Sequence, residues 1–150
     1  MAKLHVKKIP QEYAERAVLV GVKRPNQQWP TESSLAELER LAQTAGAEVV
    51  ATTFQRLESP NPRTFIGSGK VDEVAQLCRS YAADLVIFDD ELTPSQQSNL
   101  EKQVGKDIKI IDRTALILDI FALHATSREG RLQVRLAQNE YLLPLSLIHI

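Results

Sequence analysis

Phe65-Ile66-Gly67-Ser68-Gly69-Lys70 is the stretch best suited to hold an anion. Two glycines let backbone N–H groups approach a phosphate, a helix entry aligns those groups, and a lysine adds charge. The P-loop pattern is not met: Thr64 stands where its first glycine belongs, and Val71 where a Ser or Thr must hold the metal. Three readings of the turn stay open: a structural turn, a contact to RNA phosphate or another anion, and a nucleotide site in a nucleotide-binding or ATP-hydrolysing α/β domain. Asp89, Asp90 and Glu91 offer carboxylate oxygens to a hard cation, but adjacent acids in a turn diverge. A solvated turn that favours the following helix N-terminus accounts for them. Arg128, Arg131 and Arg135 recur at i, i+3 and i+7, and guanidinium groups suit phosphate oxygens. With Glu129 and Glu140 nearby, that face reads equally as an RNA-facing surface or a solvated one. His5, His124 and His149 have no ligand spacing, and no G-x-S-x-G nucleophile motif occurs. Cys78 is the only cysteine and falls at an apolar position of a helical pattern, so neither a disulfide framework nor a Cys-based metal site is expected. These residues do not assemble a catalytic site.

The elements that would position them follow from periodicity. Leu85-Val86-Ile87-Phe88 is apolar at every position and too short for a helix, as expected of a strand buried on both faces of a parallel sheet. Its carboxyl end carries the three acids, where open α/β sheets collect ligands. Thr93-Pro94-Ser95-Gln96 then supplies an N-cap, a proline at the first helical position and a capping-box glutamine. Upstream, Ala17 to Val22 forms the first buried strand, and Ser34 with Glu37 predicts a capping box for a helix stopped by Gly46. Glu48 to Thr53 is the second strand, and a long loop from Leu57 to Lys70 precedes a helix from about Val71. Thr93 to Val104 is a helix ended by Gly105, and Ile108 to Ile111 a fourth strand. Four strands alternating with three helices predict an α/β fold with a four-stranded parallel sheet flanked by helices.

After Asp112 the pattern turns helical to Pro144. Leu116, Ile117, Ile120 and Phe121 predict a helix that packs on the sheet, and Leu132, Leu136 and Leu143 a second helix that leaves it. That second stripe needs a partner, which motivates self-association as a structural module. The division expected is a flexible arm over 1–14, an α/β subdomain over 15–112, a helical extension over 113–144, and an atypical tail over 145–150 without caps or helical charge pattern.

Hydrophobic residues at 43%, charged residues at 25% and a net charge of −1 are globular values in which only a local basic stripe would bind nucleic acid. The basic start is followed by polar residues, and no apolar run reaches the roughly 18 residues a membrane span needs. A soluble cytoplasmic protein is the expectation.

The capped helix SLAELERLAQTAGAEVVA (34 to 51), FIGSGKVDEV (65 to 74) and the stretch from Asp84 to Pro144, with DDELTPSQ and REGRLQVRLAQNEYLLP inside it, closely resemble the amino-terminal part of the HflX GTPases. The resemblance runs over roughly residues 15 to 144. It implies a bacterial cytoplasmic GTPase on the large (50S) ribosomal subunit, with this region facing ribosomal RNA, acting in ribosome splitting, rescue or biogenesis. It also implies an α/β subdomain followed by an antiparallel helix pair, of which residues 113–144 would be the first half, and then a GTP-binding domain. GTP and Mg²⁺ belong to that further domain, so no cofactor, metal or catalytic residue is expected within this chain. Lys70, Arg128, Arg131 and Arg135 are the residues expected to meet RNA phosphates.

Overall fold

A computed structural model describes residues 14–124. The order is β1 (Arg16–Lys23), α1 (Thr31–Thr44), β2 (Glu48–Arg56), α2 (Ser68–Tyr81), β3 (Leu85–Phe88), α3 (Pro94–Val104), β4 (Lys109–Asp112) and α4 (Arg113–His124). The strands form one parallel sheet in the order β2-β1-β3-β4. This is the four-stranded α/β architecture that the alternating apolar runs predict.

The two apolar runs are continuous because both faces of the sheet are covered. Val18, Val20, Val22, Val86 and Phe88 face one cluster with Val71, Val74, Cys78, Leu100 and Val104 of α2 and α3. Ala17, Leu19, Leu85 and Ile87 face the other with Leu35, Leu38 and Ala42 of α1 and Leu116 of α4. Burying each such Leu or Val contributes about 1.5–3 kcal/mol. Gly21 lies on the α1 side, where an added Cβ would sit 3.1 Å from the Leu35 side chain, so a glycine lets helix and sheet close up. Ile120 packs on this second cluster and Ile117 is half-buried, while Phe121 is exposed. The predicted face of α4 is therefore narrower than four residues.

Local chemistry sets most boundaries. Thr93 accepts from the Gln96 backbone and the Gln96 side chain from the Thr93 backbone, which is the predicted capping box. At the end of α1, Gly46 adopts φ +95°, its N–H bonds to the Gln43 carbonyl, and that of Ala47 to the Ala42 carbonyl. This Schellman arrangement is the stop that Gly46 predicts. The start of α1 differs: it begins at Thr31 behind an extended Pro30 with no side-chain cap, so Ser34 and Glu37 form no capping box. Both side chains are drawn away into a tertiary cluster described below. β2 runs three residues beyond Thr53, because Phe54, Gln55 and Arg56 continue the register against Gly21, Val22 and Lys23. α2 begins at Ser68 rather than Val71, so Gly69 and Lys70 are helical.

The loop from Leu57 to Gly67 is built rather than slack. Asn61 and Phe65 exchange backbone hydrogen bonds of 3.0 and 2.8 Å, and the Asn61 side chain accepts from the N–H groups of Arg63 and Thr64. The buried Gln96 side chain donates to the Asn61 carbonyl at 3.0 Å, tying the loop to α3.

Candidate functional site

The strand order places a topological switch between β1 and β3, because α1 leaves β1 on one face and α3 leaves β3 on the other. The crevice beyond their carboxyl ends is where such sheets present functional groups. Here it is occupied by the protein's own charges. Asp89 directly follows β3 with its side chain only 9% exposed, and its Oδ1 accepts from Nε of Arg113 at 3.0 Å and also from Nη2. Its Oδ2 accepts from the Ser34 hydroxyl on α1. Arg113 further donates to Glu37 Oε1 and to the Ser34 carbonyl, each at 3.0 Å. Burial acts to lower the pKa of Arg113, but the bonds to Asp89 and Glu37 outweigh it and raise the pKa, so the guanidinium stays charged. One arginine at the first position of α4 thus joins β3, α1 and α4.

The neighbouring acid is bound differently. Asp90 faces the Arg24 guanidinium at 3.7 Å, and Arg24 also lies 5.7 Å from the centre of the Phe65 ring. Glu91 alone of the three acids is exposed. The expected solvated turn is thereby corrected: two of its carboxylates are held by arginines that lie far off in sequence, information no local pattern carries. Among the described residues no group of three His, Cys, Asp or Glu side chains is placed to hold a metal ion. Asp112, by contrast, caps α4 through the Ala115 N–H and also accepts from the Leu92 N–H, both at 3.0 Å.

Desolvation, with a smaller contribution from Asp89, raises the Asp90 pKa against the lowering effects of Arg24 and Arg113. A raised carboxyl pKa contributes stability below its unfolded value, and that stability is lost as pH climbs through the folded value. Asp90→Asn, neutral throughout, is therefore expected to match the parent at about pH 3.5 and to equal or exceed it by under about 1 kcal/mol at neutral pH. Urea unfolding at both pH values measures this, and a variant that is clearly less stable only at neutral pH would show that the Arg24 pair dominates.

Of the predicted phosphate contacts, Lys70 lies within the described residues. Its amino group donates to Thr53 Oγ1 at 3.1 Å and to Glu73 Oε1 at 2.9 Å, with the side chain 14% exposed. The Lys70 bond, opposed by desolvation and aided by Thr53, lowers the pKa of Glu73. The Gly67 N–H is likewise engaged, by Gln55 Oε1 at 2.9 Å. Two donors that a nucleotide cradle at this turn would use are thus already taken. Arg128, Arg131 and Arg135, and the Leu132, Leu136 and Leu143 stripe, lie outside the described residues. Arg113, Ser34 and Arg24 are the site residues that sequence reasoning missed. An arginine at a helix's first position, where the dipole disfavours a cation, was the available signal of a tertiary partner.

The fold and the crevice together define a four-stranded parallel α/β domain whose switch point is closed by an arginine-centred cluster of ion pairs. A family model described as GTP-binding GTPase N-terminal matches residues 32–122. A protein named GTPase HflX from Alkalihalophilus pseudofirmus is 51% identical over 136 residues, covering 91% of this chain and 32% of that protein. The Escherichia coli protein of the same name is 43% identical over 108 residues, covering 72% of this chain and 25% of its own length. The crystal structure of a GTP-binding protein from Sulfolobus solfataricus in complex with GDP superposes with TM-score 0.60 at 25% identity, over 87% of this chain and 38% of that one. This chain belongs to the HflX GTPase family, as its amino-terminal region. It spans between a quarter and a third of the length of these curated relatives.

Proposed function

We propose that this chain is the ribosome-facing part of an HflX-type GTPase, docking on large-subunit RNA in the cytoplasm while GTP and Mg²⁺ are handled in another part of the full-length protein. The observation that carries the reading is the 51% identity over 136 residues to a protein named GTPase HflX. Two features support the division of labour. No stretch of the 150 residues fits the P-loop pattern. The switch-point crevice is filled by Asp89, Arg113 and their partners, which suits a rigid docking body rather than a turnover site. Among the described residues, no helix is long and apolar enough to cross a membrane. Lys70, Arg128, Arg131 and Arg135 are assigned to RNA phosphates, Lys70 after exchanging Glu73 for phosphate. Ribosome splitting, rescue or biogenesis is the process the docking serves.

Phosphate contacts release counterions, so affinity must fall with salt. Co-sedimentation with isolated large subunits is expected to weaken by more than about tenfold between roughly 50 and 200 mM salt. Replacing the four residues with alanine is expected to flatten that dependence. Unchanged binding by the quadruple variant removes these contacts, and no binding at either salt removes the ribosomal reading.

A further inference from the structure

We propose that the β1–α1 loop, with the end of β2, is a seat for an unpaired nucleotide of RNA: the base stacks on Trp29, and Arg56 and Lys23 take the adjoining phosphates. The inference deepens the reading above and rests on it for the identity of the polymer. Trp29 is the sequence's only tryptophan and is 70% exposed, whereas most other large apolar side chains among the described residues are buried. Its loop is not slack. Gln27 Oε1 accepts from the Arg24 N–H at 2.8 Å and the Thr31 hydroxyl at 3.2 Å, and Asn26 takes a positive φ of 62°. An exposed indole on a loop held in shape is a preorganised stacking platform, because little order remains to be imposed on binding.

The charges beside it are unusual for a sheet. The register sets Lys23 directly opposite Arg56, a like-charged pair of the kind that destabilises a ladder. Glu32 answers Lys23 at 3.0 Å, and both Lys23 and Arg56 lower its pKa, the Lys23 hydrogen bond most. Arg56 has no ion pair among the described residues, and Arg24 has only the long contact to Asp90. Lys23 and Arg24 line a cleft of about 350 Å³ with Trp29, and a second of about 380 Å³ with Arg56 and Glu58. Phe54, 38% exposed, lies under the Lys23 ammonium at 5.5 Å from the ring centre. An exposed pair such as Lys23–Glu32 contributes little and gives way to a phosphate. Aromatic faces interleaved with under-compensated cations match a single strand, whose bases are free to leave their stack; a duplex keeps its base faces stacked on one another and has none to lay on an indole.

The lone tryptophan reports on its own occupancy. Titrating the chain at low salt with a single-stranded uridine oligomer is expected to quench its fluorescence. Duplex RNA, a free nucleoside monophosphate and poly-glutamate, at matched charge or base concentration, are expected to quench weakly. With a labelled oligomer, Trp29→Ala is expected to bind roughly tenfold more weakly, Trp29→Phe to recover most of that, and Arg56→Ala to lose about threefold with a shallower salt dependence. Equal quenching by duplex, by mononucleotide or by the acidic polymer overturns the seat, as does Trp29→Ala binding like the parent. Co-sedimentation with large subunits separates the two readings. Oligomer quenching without subunit binding sinks the ribosomal one, and subunit binding indifferent to Trp29→Ala with no oligomer quenching sinks this one alone.

Discussion

Arg113→Ala is expected to lower the unfolding free energy by about 3 kcal/mol, the low end of what removing one partner of a buried pair costs. The reason is what remains behind. The Asp89 side chain, 9% exposed, would be left with only the Ser34 hydroxyl to answer it, while the Ser34 carbonyl loses its donor and α4 its polar tie to α1. Arg113→Lys should recover little, because an ammonium cannot reach Asp89, Glu37 and the Ser34 carbonyl with a fixed fork. Asp89→Asn in the Arg113→Ala background should restore much of the loss by removing the orphaned charge. Urea unfolding of the four proteins in the cycle measures the coupling. A double variant no more stable than Arg113→Ala alone would show that the loss comes from packing rather than charge.

Phe88→Ala is expected to cost about 3–5 kcal/mol. Phe88 is 1% exposed, pairs with Val20 across the sheet, and meets Phe65 edge to face with ring centres 6.3 Å apart. Its loss opens a cavity under the loop that bears Phe65, a residue held at φ 66° that the packing must enforce. Amide exchange at Asn61 and Phe65 should therefore accelerate more than exchange in α1, on the opposite face of the sheet. Phe54→Ala is the milder comparison: that ring is 38% exposed on the edge strand and carries the Lys23 contact, so its loss should cost about 0.5–1 kcal/mol. A Phe88 variant within about 1.5 kcal/mol of the parent would mean the site collapses and refills, contrary to a close-packed centre.

Both predictions concern residues that the sequence presents unequally. Phe88 sits at the end of an uninterrupted apolar run and is visible as core at once. Arg113 follows an isoleucine-rich strand and looks like one more surface charge. Lys70 is legible only in part: its place after two glycines suggests an open loop, whereas the helix starts two residues earlier and Thr53 and Glu73 hold the ammonium. Ser34 has the spacing of a cap and serves as a tertiary donor instead.

What the linear chain determined by itself is the part carried by short-range physics. Strand runs apolar on both faces, the Thr93-to-Gln96 box and the Gly46 stop each act within a few residues, so the parallel α/β layer and most of its punctuation were readable in advance. Only the folded arrangement decided which carboxylate meets which arginine. Asp89 and Arg113 are separated by 24 residues and Ser34 and Asp89 by 55, and their pairing depends on β3 lying between β1 and β4 with α1 and α4 side by side on one face. Coulomb attraction between surface charges is weak and indifferent to sequence distance until packing excludes water around them. Burial at the switch point makes one pairing strong, and burial is a property of the assembled layers.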